Sequence, residues 1–501
     1  MRNYSGTSQR VAVDEREDET SVHDDLVVIS NRQPYRHRYD DDGDVVTDRP
    51  VGGLTAGLDP VVQRVDGTWV AWGDGDADAE TVDENDCVRV PPDDPAYTLR
   101  RVWLDEEAVE GYYYGFSNRV LWPLSHGLVG TMEYRDEHWQ QYREVNETFA
   151  EAVAERAGER SLVWFQDYHF ALAPRHVRER VDGPTLMQFW HIPWPDWDTF
   201  RTCPAREAIL HGLLANDLLS FHIPRYCENF LDCVAGCFED ATVDEQTGEI
   251  HRDGETTRVR AFPMGVDVDR IEREAAACTE AEWAEFTAAI GVDPEATLSV
   301  GVDRLDYTKG IPERLAALER FFEEHPEWRG ELTHVQKLSE SRSRIPAYGD
   351  VADRVAEAIE RVNGRFGTDD WQPVVRLDSH LSAHQLYGLY RNADIALVSP
   401  VRDGMNLVAK EYVAAQTADP GVLLLGELAG AQKELGEFAL PVEPYDTAGF
   451  ADRIGEALTM SERERRERMA NLRAAVAAND IEHWMDDIFG EAREVRRTRG
   501  R

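Results

Sequence analysis

The stretch Asp394-Ile395-Ala396-Leu397-Val398-Ser399 and, shortly after it, Arg402-Asp403-Gly404-Met405-Asn406-Leu407-Val408-Ala409-Lys410-Glu411 decides the fold. The apolar run predicts a buried parallel strand, and residues 408–415 predict a helix that follows a glycine turn. The free N–H groups at the start of such a helix, together with the helix dipole, favour negatively charged ligands. Glu411 lies about one turn into this helix, where its carboxylate can accept hydrogen bonds from sugar hydroxyls. The pattern therefore suits a diphosphate beside a ribose, which is the chemistry of a nucleotide sugar.

Strand patterns alternate with helix patterns along both halves of the chain. Short apolar runs begin at residues 26, 162, 185 and 217 in the first half, and at residues 296, 332, 374, 395 and 422 in the second half. Such alternation predicts an α/β fold with two Rossmann-like, doubly wound domains that face a central cleft. In these sheets, ligands bind beyond the carboxyl ends of the strands.

We divide the chain into four predicted regions. Residues 1–24 are expected to form a disordered acidic tail, and residues 25–265 an N-terminal Rossmann-like domain. Residues 266–478 are expected to form a C-terminal Rossmann-like domain, and residues 479–501 a helix that packs back on the N-terminal domain. The segment 260–268, which contains Pro263 and Gly265, is interpreted as the crossing between the two domains.

The charge of the chain excludes some classes of partner. Among 501 residues, 96 are acidic and 54 are basic, so the formal net charge is −42. Such a surface repels nucleic acids and anionic membranes, and neither is expected as a partner. The lysines are Lys309, Lys337, Lys410 and Lys433. An Arg-rich, GC-biased genome would explain scarce lysine but not the excess of acid, so we favour a protein adapted to a salt-loaded cytoplasm.

The cysteines and the N-terminal sequence predict an intracellular protein. None of the six cysteines forms a Cys-x-x-Cys motif, and no histidine is spaced to complete a zinc site. The first 24 residues lack the apolar core of a signal sequence, and no apolar stretch reaches the length of a membrane-spanning helix. We therefore predict a cytoplasmic location, no metal and no cofactor.

A charged loop after the predicted strand at residues 296–301 carries two candidate phosphate ligands. Arg304 and Lys309 are five residues apart, so both can reach one diphosphate, Arg as a fork and Lys as a point charge. A solvated loop with incidental charge is the alternative, but the scarcity of lysine favours function. Gly53 lies in a second, weaker candidate, a Gly-Gly turn that permits close approach of the backbone to a phosphate. This turn has neither the dinucleotide-binding nor the P-loop spacing.

Polar residues also follow two neighbouring strands of the first half. Asp167 comes after the strand at residues 162–166, and His191 comes after the strand at residues 185–190. Asp167 could orient or deprotonate a hydroxyl, and His191 could donate to a sugar oxygen. A single histidine at a strand end is more often structural, but two polar residues at adjacent strand ends favour a site. Four further residues, each by itself more typical of surface or core, complete the set: Arg32, Tyr113, Trp122 and Arg342.

Taken together, these stretches resemble those of the trehalose-6-phosphate synthase family, retaining glycosyltransferases with the two-domain GT-B fold. The resemblance runs in family order from about residue 26 to residue 480, and its most specific part is 403–411. The other matching stretches are Ser30-Asn31-Arg32, Gly52-Gly53-Leu54, Phe116-Ser117-Asn118, Leu121-Trp122-Pro123, Asp167-Tyr168-His169, His191-Ile192-Pro193 and Arg304 to Gly310.

The resemblance implies a role for each candidate residue. Residues 25–265 would form the acceptor domain and residues 266–478 the nucleotide-sugar domain. The donor would be UDP-glucose or another nucleotide-glucose, and the acceptor glucose 6-phosphate. Catalytic roles fall to Arg304, Lys309, His191, Asp167 and Asp403; donor binding to Gly53, Arg304, Lys309, Asn406, Leu407 and Glu411; and acceptor binding to Arg32, Tyr113, Trp122, Asp167 and Arg342. The family uses no metal, and we expect a homo-oligomer with a separate phosphatase downstream.

Three alternative functions stay open at this point. A glucosylglycerol-phosphate synthase would use glycerol 3-phosphate as acceptor, and the neighbourhood of Arg342 does not decide between the two acceptors. A catalytically silent regulatory subunit of the same fold would be expected to lack some phosphate or ribose ligands, whereas this chain has them all. A nicotinamide dehydrogenase shares the doubly wound halves but needs a Gly-x-Gly-x-x-Gly loop, which this chain lacks.

Overall fold

Two sheets, each covered by helices, organise the described part of the chain. A computed structural model describes residues 26–49, 53–417 and 420–499, with the side chains of 53–56 left aside. The predicted acidic tail at 1–24 lies outside the described residues. The first sheet has ten strands and the second has six. This mixed α/β arrangement of two mainly parallel sheets confirms the predicted fold class.

The strands are β1 (Leu26–Arg32), β2 (Arg36–Tyr39), β3 (Val45–Asp48), β4 (Thr68–Trp72), β5 (Cys87–Val90), β6 (Tyr97–Val102), β7 (Leu162–Gln166), β8 (Thr185–Phe189), β9 (Leu218–Phe221), β10 (Thr242–Asp244), β11 (Glu249–Arg252), β12 (Glu255–Ala261), β13 (Thr297–Arg304), β14 (Leu332–Ser339), β15 (Val374–Leu377), β16 (Ile395–Val398), β17 (Val422–Gly426) and β18 (Leu440–Val442).

The α-helices are α1 (Gly53–Arg64), α2 (Glu106–Ala108), α3 (Trp122–Ser125), α4 (Asp136–Ala154), α5 (Ala173–Arg180), α6 (Trp197–Phe200), α7 (Arg206–Leu213), α8 (Pro224–Cys237), α9 (Val268–Ala277), α10 (Glu280–Ala289), α11 (Ile311–Glu324), α12 (Pro346–Phe366), α13 (Ala383–Asn392), α14 (Leu407–Ala415), α15 (Gln432–Leu435), α16 (Thr447–Thr459), α17 (Glu462–Ala478) and α18 (Ile481–Arg499).

The first sheet runs in the order β10-β11-β12-β9-β8-β7-β1-β4-β6-β5. Its central strands are parallel, whereas β5, β10 and β11 add antiparallel edges. The interpretation of residues 260–268 as a crossing is wrong at its start, because Arg260 and Ala261 pair in parallel with Ser220 and Phe221 of β9. The chain leaves this sheet only after β12.

The second sheet runs in the order β15-β14-β13-β16-β17-β18, and all its pairings are parallel. The order reverses between β13 and β16, which is the type of switch point where doubly wound sheets bind ligands. Both loops singled out in the sequence leave the carboxyl ends of these two strands. The one after β13 contains Lys309, and the one after β16 contains Asp403.

A helical segment that the sequence pattern did not predict spans residues 106–125. It begins with α2, continues as a π-helix from Val109 to Leu121 and ends with α3. π-Helical turns are rare and occur frequently at functional sites. The segment carries both Tyr113 and Trp122, so it brings two of the predicted acceptor residues to the same place.

The last helix, α18, packs against the first sheet although it follows the second one in the chain. Its Trp484 is buried against Trp164 of β7, with ring centroids 5.8 Å apart, and Phe489 contacts the same ring at 5.6 Å. The Trp484 indole N–H also donates to the carbonyl of Phe262, at 3.2 Å. No helix within the described ranges is long and apolar enough to cross a membrane.

Candidate active site

The loop after β16 turns sharply into α14. Asn406 adopts a left-handed conformation, with φ of +81°, and its side chain caps the helix by accepting from the Ala409 N–H at 3.2 Å. Its amide nitrogen donates to Asp403 at 3.2 Å. Asparagine tolerates this conformation better than most residues, and its amide serves both the helix and the carboxylate. The predicted helix is thus present, and it begins at Leu407, one residue before the predicted start.

Asp403 and Lys309 meet between the two loops of the second sheet. The Lys309 ammonium lies 2.5 Å from Asp403 Oδ2, and both side chains are largely buried. Burial alone would raise the pKa of Asp403, but the ammonium of Lys309 and the Asn406 amide hold that pKa below its usual value. Asp403 is therefore an ionised carboxylate that holds the lysine in the loop.

Glu411 lies on α14, one turn after its first residue, Leu407. Burial raises the pKa of its carboxyl to about 7, against the opposing effects of the Tyr390 hydroxyl and the more distant Arg270 guanidinium. A carboxyl group in such a position can accept hydrogen bonds from vicinal hydroxyls. The sequence motif predicted this location, whereas Tyr390, on α13, carries no signal in the sequence.

Asp167 has a backbone conformation that is rare for any residue but glycine, with φ of +71° and ψ of −178°. Burial raises the pKa of its carboxyl to about 7, despite the backbone N–H groups of Tyr168 and His191 and the nearby Arg342 and Arg304 guanidinium groups. The carboxylate accepts from the His191 N–H at 3.2 Å. Strain and an unfavourable charge at one residue are typical of a functional position.

His191 follows β8 and is neutral, because burial and the nearby His222 hold its pKa well below its usual value. Its Nε2 lies 2.9 Å from Gln166 Oε1, and the ring tautomer decides which of the two nitrogens donates. Donation from His191 to a sugar oxygen stays a prediction.

Arg342 comes from the second half but binds residues of the first half. Its Nη2 donates to the Tyr168 hydroxyl at 2.9 Å, and its guanidinium carbon lies 4.0 Å from the centroid of the Trp122 ring. Its Nη1 donates to the Tyr348 hydroxyl at 2.5 Å. Arg304 also lies over Trp122, at 5.5 Å. One indole therefore carries two guanidinium groups, a cation–π arrangement that holds both beside the cleft.

Tyr113 lies between the two arginines predicted for the acceptor. Although burial acts to raise its pKa, the guanidinium groups of Arg342 and Arg32 lower it to about 8. The imidazole of His169 stacks on the Tyr113 ring at 5.9 Å, with the planes 13° apart, and both of its nitrogens are buried without a partner. This patch carries surplus positive charge, so it favours an anion.

The two halves touch directly at the candidate site. A side chain on Gly404 would place its Cβ 2.0 Å from the carbonyl oxygen of His191, so only glycine fits. The Tyr226 hydroxyl donates to the carbonyl of Asp403 at 3.1 Å. Gly404 therefore serves for close approach of the loop after β16 to the end of β8, which brings Asp403 next to His191.

The structure brings most of the predicted residues together, but not all can be placed in full. Gly53 begins α1, yet it borders residues 50–52, which lie outside the described part, so its contact with a donor stays a prediction. Leu407 is the first residue of α14. The sequence analysis did not assign roles to Asp306, Tyr168, His169 or Tyr348. Tyr168 and His169 directly follow Asp167 and could have been found from that position, whereas Tyr348 lies within α12 and carries no signal.

The described residues contain no group of three or more His, Cys, Asp or Glu side chains arranged to hold a metal ion. The positive charge of the site comes from Arg304, Lys309, Arg342 and Arg32. The cysteines in the structure are all free thiols.

Residues 24–494 match the model of glycosyltransferase family 20. The chain belongs to this family. A bifunctional trehalose-6-phosphate synthase/phosphatase from Thermoproteus tenax is 38% identical over 476 residues, which are 93% of this chain and 63% of that protein. This chain therefore spans less than two thirds of that relative.

Two solved structures agree with the present fold over nearly their whole length. One, from E. coli and bound with UDP-2-fluoro glucose, is 32% identical with a TM-score of 0.83, and the match covers 93% of this chain and 98% of that one. Another is an alpha,alpha-trehalose-phosphate synthase (UDP-forming) from Burkholderia xenovorans in complex with glucose-6-phosphate. It is 30% identical with a TM-score of 0.83, and the match covers 93% of this chain and all of that one. The GT-B architecture expected from the family resemblance is thereby confirmed.

Proposed function

We propose that this family 20 glycosyltransferase moves glucose from UDP-glucose to glucose 6-phosphate, with retention of configuration, to give alpha,alpha-trehalose 6-phosphate and UDP. The observation that carries the proposal is that Arg304 and Arg342, from two different loops, both lie over the Trp122 ring. Arg304 and Lys309 lie at the switch point of the second sheet, and Arg342 and Arg32 both act on the Tyr113 hydroxyl. Such a site suits one substrate with a diphosphate and another with a phosphate.

On the donor side, Arg304 and Lys309 bind the diphosphate and Glu411 binds the ribose. Asn406 and Leu407 supply backbone groups at the start of α14, where the helix dipole favours anions. Lys309 and Arg304 then stabilise the charge that builds on the leaving UDP, which is the part of the reaction where fixed cations contribute most.

On the acceptor side, Arg342 and Arg32 bind the phosphate, with Tyr113 and Trp122 around it. Asp167 binds the acceptor sugar, and His191 and Asp403 bind the glucose that is transferred. No residue is required to form a covalent intermediate, because the acceptor hydroxyl attacks from the face that UDP leaves and the leaving phosphate takes its proton. This differs from retaining hydrolases, which use a pair of carboxylates.

The test compares three acceptors at fixed UDP-glucose: glucose 6-phosphate, glycerol 3-phosphate and unphosphorylated glucose. UDP release should be fastest with glucose 6-phosphate and orders of magnitude slower with glucose, because a site built for a phosphate rejects an analogue without it. Faster release with glycerol 3-phosphate would make the protein a glucosylglycerol-phosphate synthase. Equal rates with glucose would overturn the assignment of the acceptor pocket, and no release with any acceptor would favour a regulatory subunit.

We further propose that the protein works as a homo-oligomer in a salt-loaded cytoplasm and passes its product to a separate phosphatase. The net charge of −42 supports the salt-loaded cytoplasm, the phosphorylated disaccharide product supports the phosphatase, and the homo-oligomer rests on the family resemblance alone. Size-exclusion chromatography with light scattering tests the oligomer, and a mass corresponding to one chain would contradict it.

A further inference from the structure

Asp306 is a buried carboxylate that touches both phosphate-binding groups of the site. It follows β13, is 0% exposed and lies between Arg304 and Lys309 in sequence. Its Oδ1 accepts two hydrogen bonds from Thr308, from the N–H at 3.0 Å and from the hydroxyl at 2.9 Å. One oxygen is therefore fixed by the loop itself, and the other is free to act on neighbouring groups.

The second oxygen, Oδ2, faces the two arginines. It lies 3.5 Å from Arg342 Nη1 and 3.9 Å from Arg304 Nη2, and it is buried without any closer hydrogen-bond partner. The guanidinium groups of Arg304 and Arg342, together with Lys309, outweigh the effect of burial and hold the pKa of Asp306 below its usual value. The group is thus ionised at neutral pH, and it is surrounded by three cations from two different loops.

The position of the Asp306 carboxylate offsets a charge repulsion within the site. Two guanidinium groups over one indole repel each other, and each needs a fixed position to meet its own phosphate. A carboxylate placed between them offsets the repulsion while leaving the site with surplus positive charge for its substrates. Contacts this long are not strong hydrogen bonds, so Asp306 acts on both arginines through its charge, while Tyr168 and Tyr348 orient Arg342. The remaining N–H groups stay available for charge-assisted bonds to phosphate oxygens.

We propose that Asp306 is a positioning residue that holds Arg304 and Arg342 at the separation the two substrates require. It couples the arginine that binds the donor diphosphate to the arginine that binds the acceptor phosphate. The proposal rests on the proposed function, since it takes one arginine for each substrate. Because Asp306 acts through the arginines, its removal should affect turnover more than it affects the affinity for either substrate alone.

The test begins with Asp306→Asn, which keeps an oxygen for Thr308 but removes the charge. We expect kcat to fall by roughly 10- to 100-fold, by analogy with the loss of groups that orient metal ligands. The Kd of UDP, measured by calorimetry without acceptor, should stay within a few-fold of the wild-type value or decrease, because a negative charge near the phosphates is lost. A purely structural role predicts instead a weaker UDP affinity together with a lower melting temperature, and that result would overturn the proposal.

Thr308→Val provides a second variant that keeps the carboxylate. It removes one of the two bonds that hold Asp306, so kcat should fall in the same direction by less, and the variant covers the case in which Asp306→Asn does not fold. The double variant Asp306→Asn with Arg342→Ala should be little slower than Arg342→Ala alone, because both changes disable the same group. Additive losses, or an unchanged kcat in both single variants, would overturn the proposal. Absence of transfer in the wild-type protein would instead contradict the proposed function.

Discussion

At the scale of single residues, the proposed function gives the most direct role to Lys309. Its ammonium faces Asp403, and in the proposed reaction it stabilises the leaving diphosphate. Lys309→Ala and Arg304→Ala should each reduce kcat by about 10²–10³, as does loss of one donor that stabilises charge in a transition state. Steady-state rates of the purified variants test this, with Lys433→Ala, outside the site, as a control for lysine loss. Near-normal turnover of both variants would contradict the assignment.

The raised pKa of Asp167 makes its contribution to stability depend on pH. Its folded pKa, about 7, lies above the ordinary value of 3.8, so the folded state holds a proton that the unfolded state has lost between these two values. The contribution of Asp167 to stability is therefore lost as pH rises from about 4 to about 7. Asn at position 167 has no proton to lose, so the stability of Asp167→Asn does not fall over this pH range for this reason. Its amide oxygen can still accept from the His191 N–H.

We expect Asp167→Asn to raise the melting temperature relative to the wild type more at pH 8 than at pH 5, while transfer falls. Thermal unfolding of both proteins at the two pH values measures the difference. The surface variant Asp198→Asn, whose side chain is 90% exposed, should show no such change with pH. A stabilisation that is equal at both pH values would show that the buried charge of Asp167 is not its cause.

At the scale of elements, the sequence predicted the strands better than the helices that shape the site. β7 has the predicted bounds and β16 begins at residue 395 as predicted, because a buried parallel strand is a continuous apolar run between polar ends. The segment 106–125 escaped prediction because its π-helical part departs from the 3.6-residue period on which helix patterns depend.

The site residues show the same contrast between what the sequence predicts and what it does not. Strand ends place Asp167, His191, Arg304 and Asp403 from sequence alone, because the carboxyl ends of parallel strands lie at one edge of a sheet. The stacking of Arg342 on Trp122 joins segments that are 220 residues apart, from different halves. Asp306 was part of a recognised motif, but its effect on two arginines depends on distances that only the folded chain defines.

Helix α18 packs on the first sheet through a few large side chains. Removing one of them should therefore have a large effect on stability. Trp484 is 2% exposed and packs on Trp164 and Phe189. Trp484→Ala should lower the free energy of unfolding by about 3–5 kcal/mol, the usual cost of removing a buried aromatic side chain. Denaturant unfolding measures this change in the free energy of unfolding. Glu482→Ala, on the same helix, removes only an exposed ion pair with Arg64 and should have almost no effect.

At the scale of the whole molecule, the acidic surface sets how stability depends on salt. Ion pairs are numerous at the surface, but the acidic residues outnumber the basic ones by 42, so many carboxylates have no basic residue to match them. Their mutual repulsion acts against the compact state until it is screened. Because the Debye length falls from about 30 Å at 0.01 M salt to about 10 Å at 0.1 M and about 3 Å at 1 M, most of the relief should come at low concentration.

The melting temperature should therefore rise as KCl increases from dilute to molar, with the steepest part below about 0.1 M. Sucrose stabilises by exclusion from the surface without screening charge, so it should give a smaller and more gradual rise over the same concentrations. Thermal unfolding in the KCl series and in the sucrose series distinguishes charge screening from exclusion of the solute from the surface. A curve that is flat or falls with KCl would show that the acid excess carries no adaptation to salt, and the scarcity of lysine would then reflect genome composition alone.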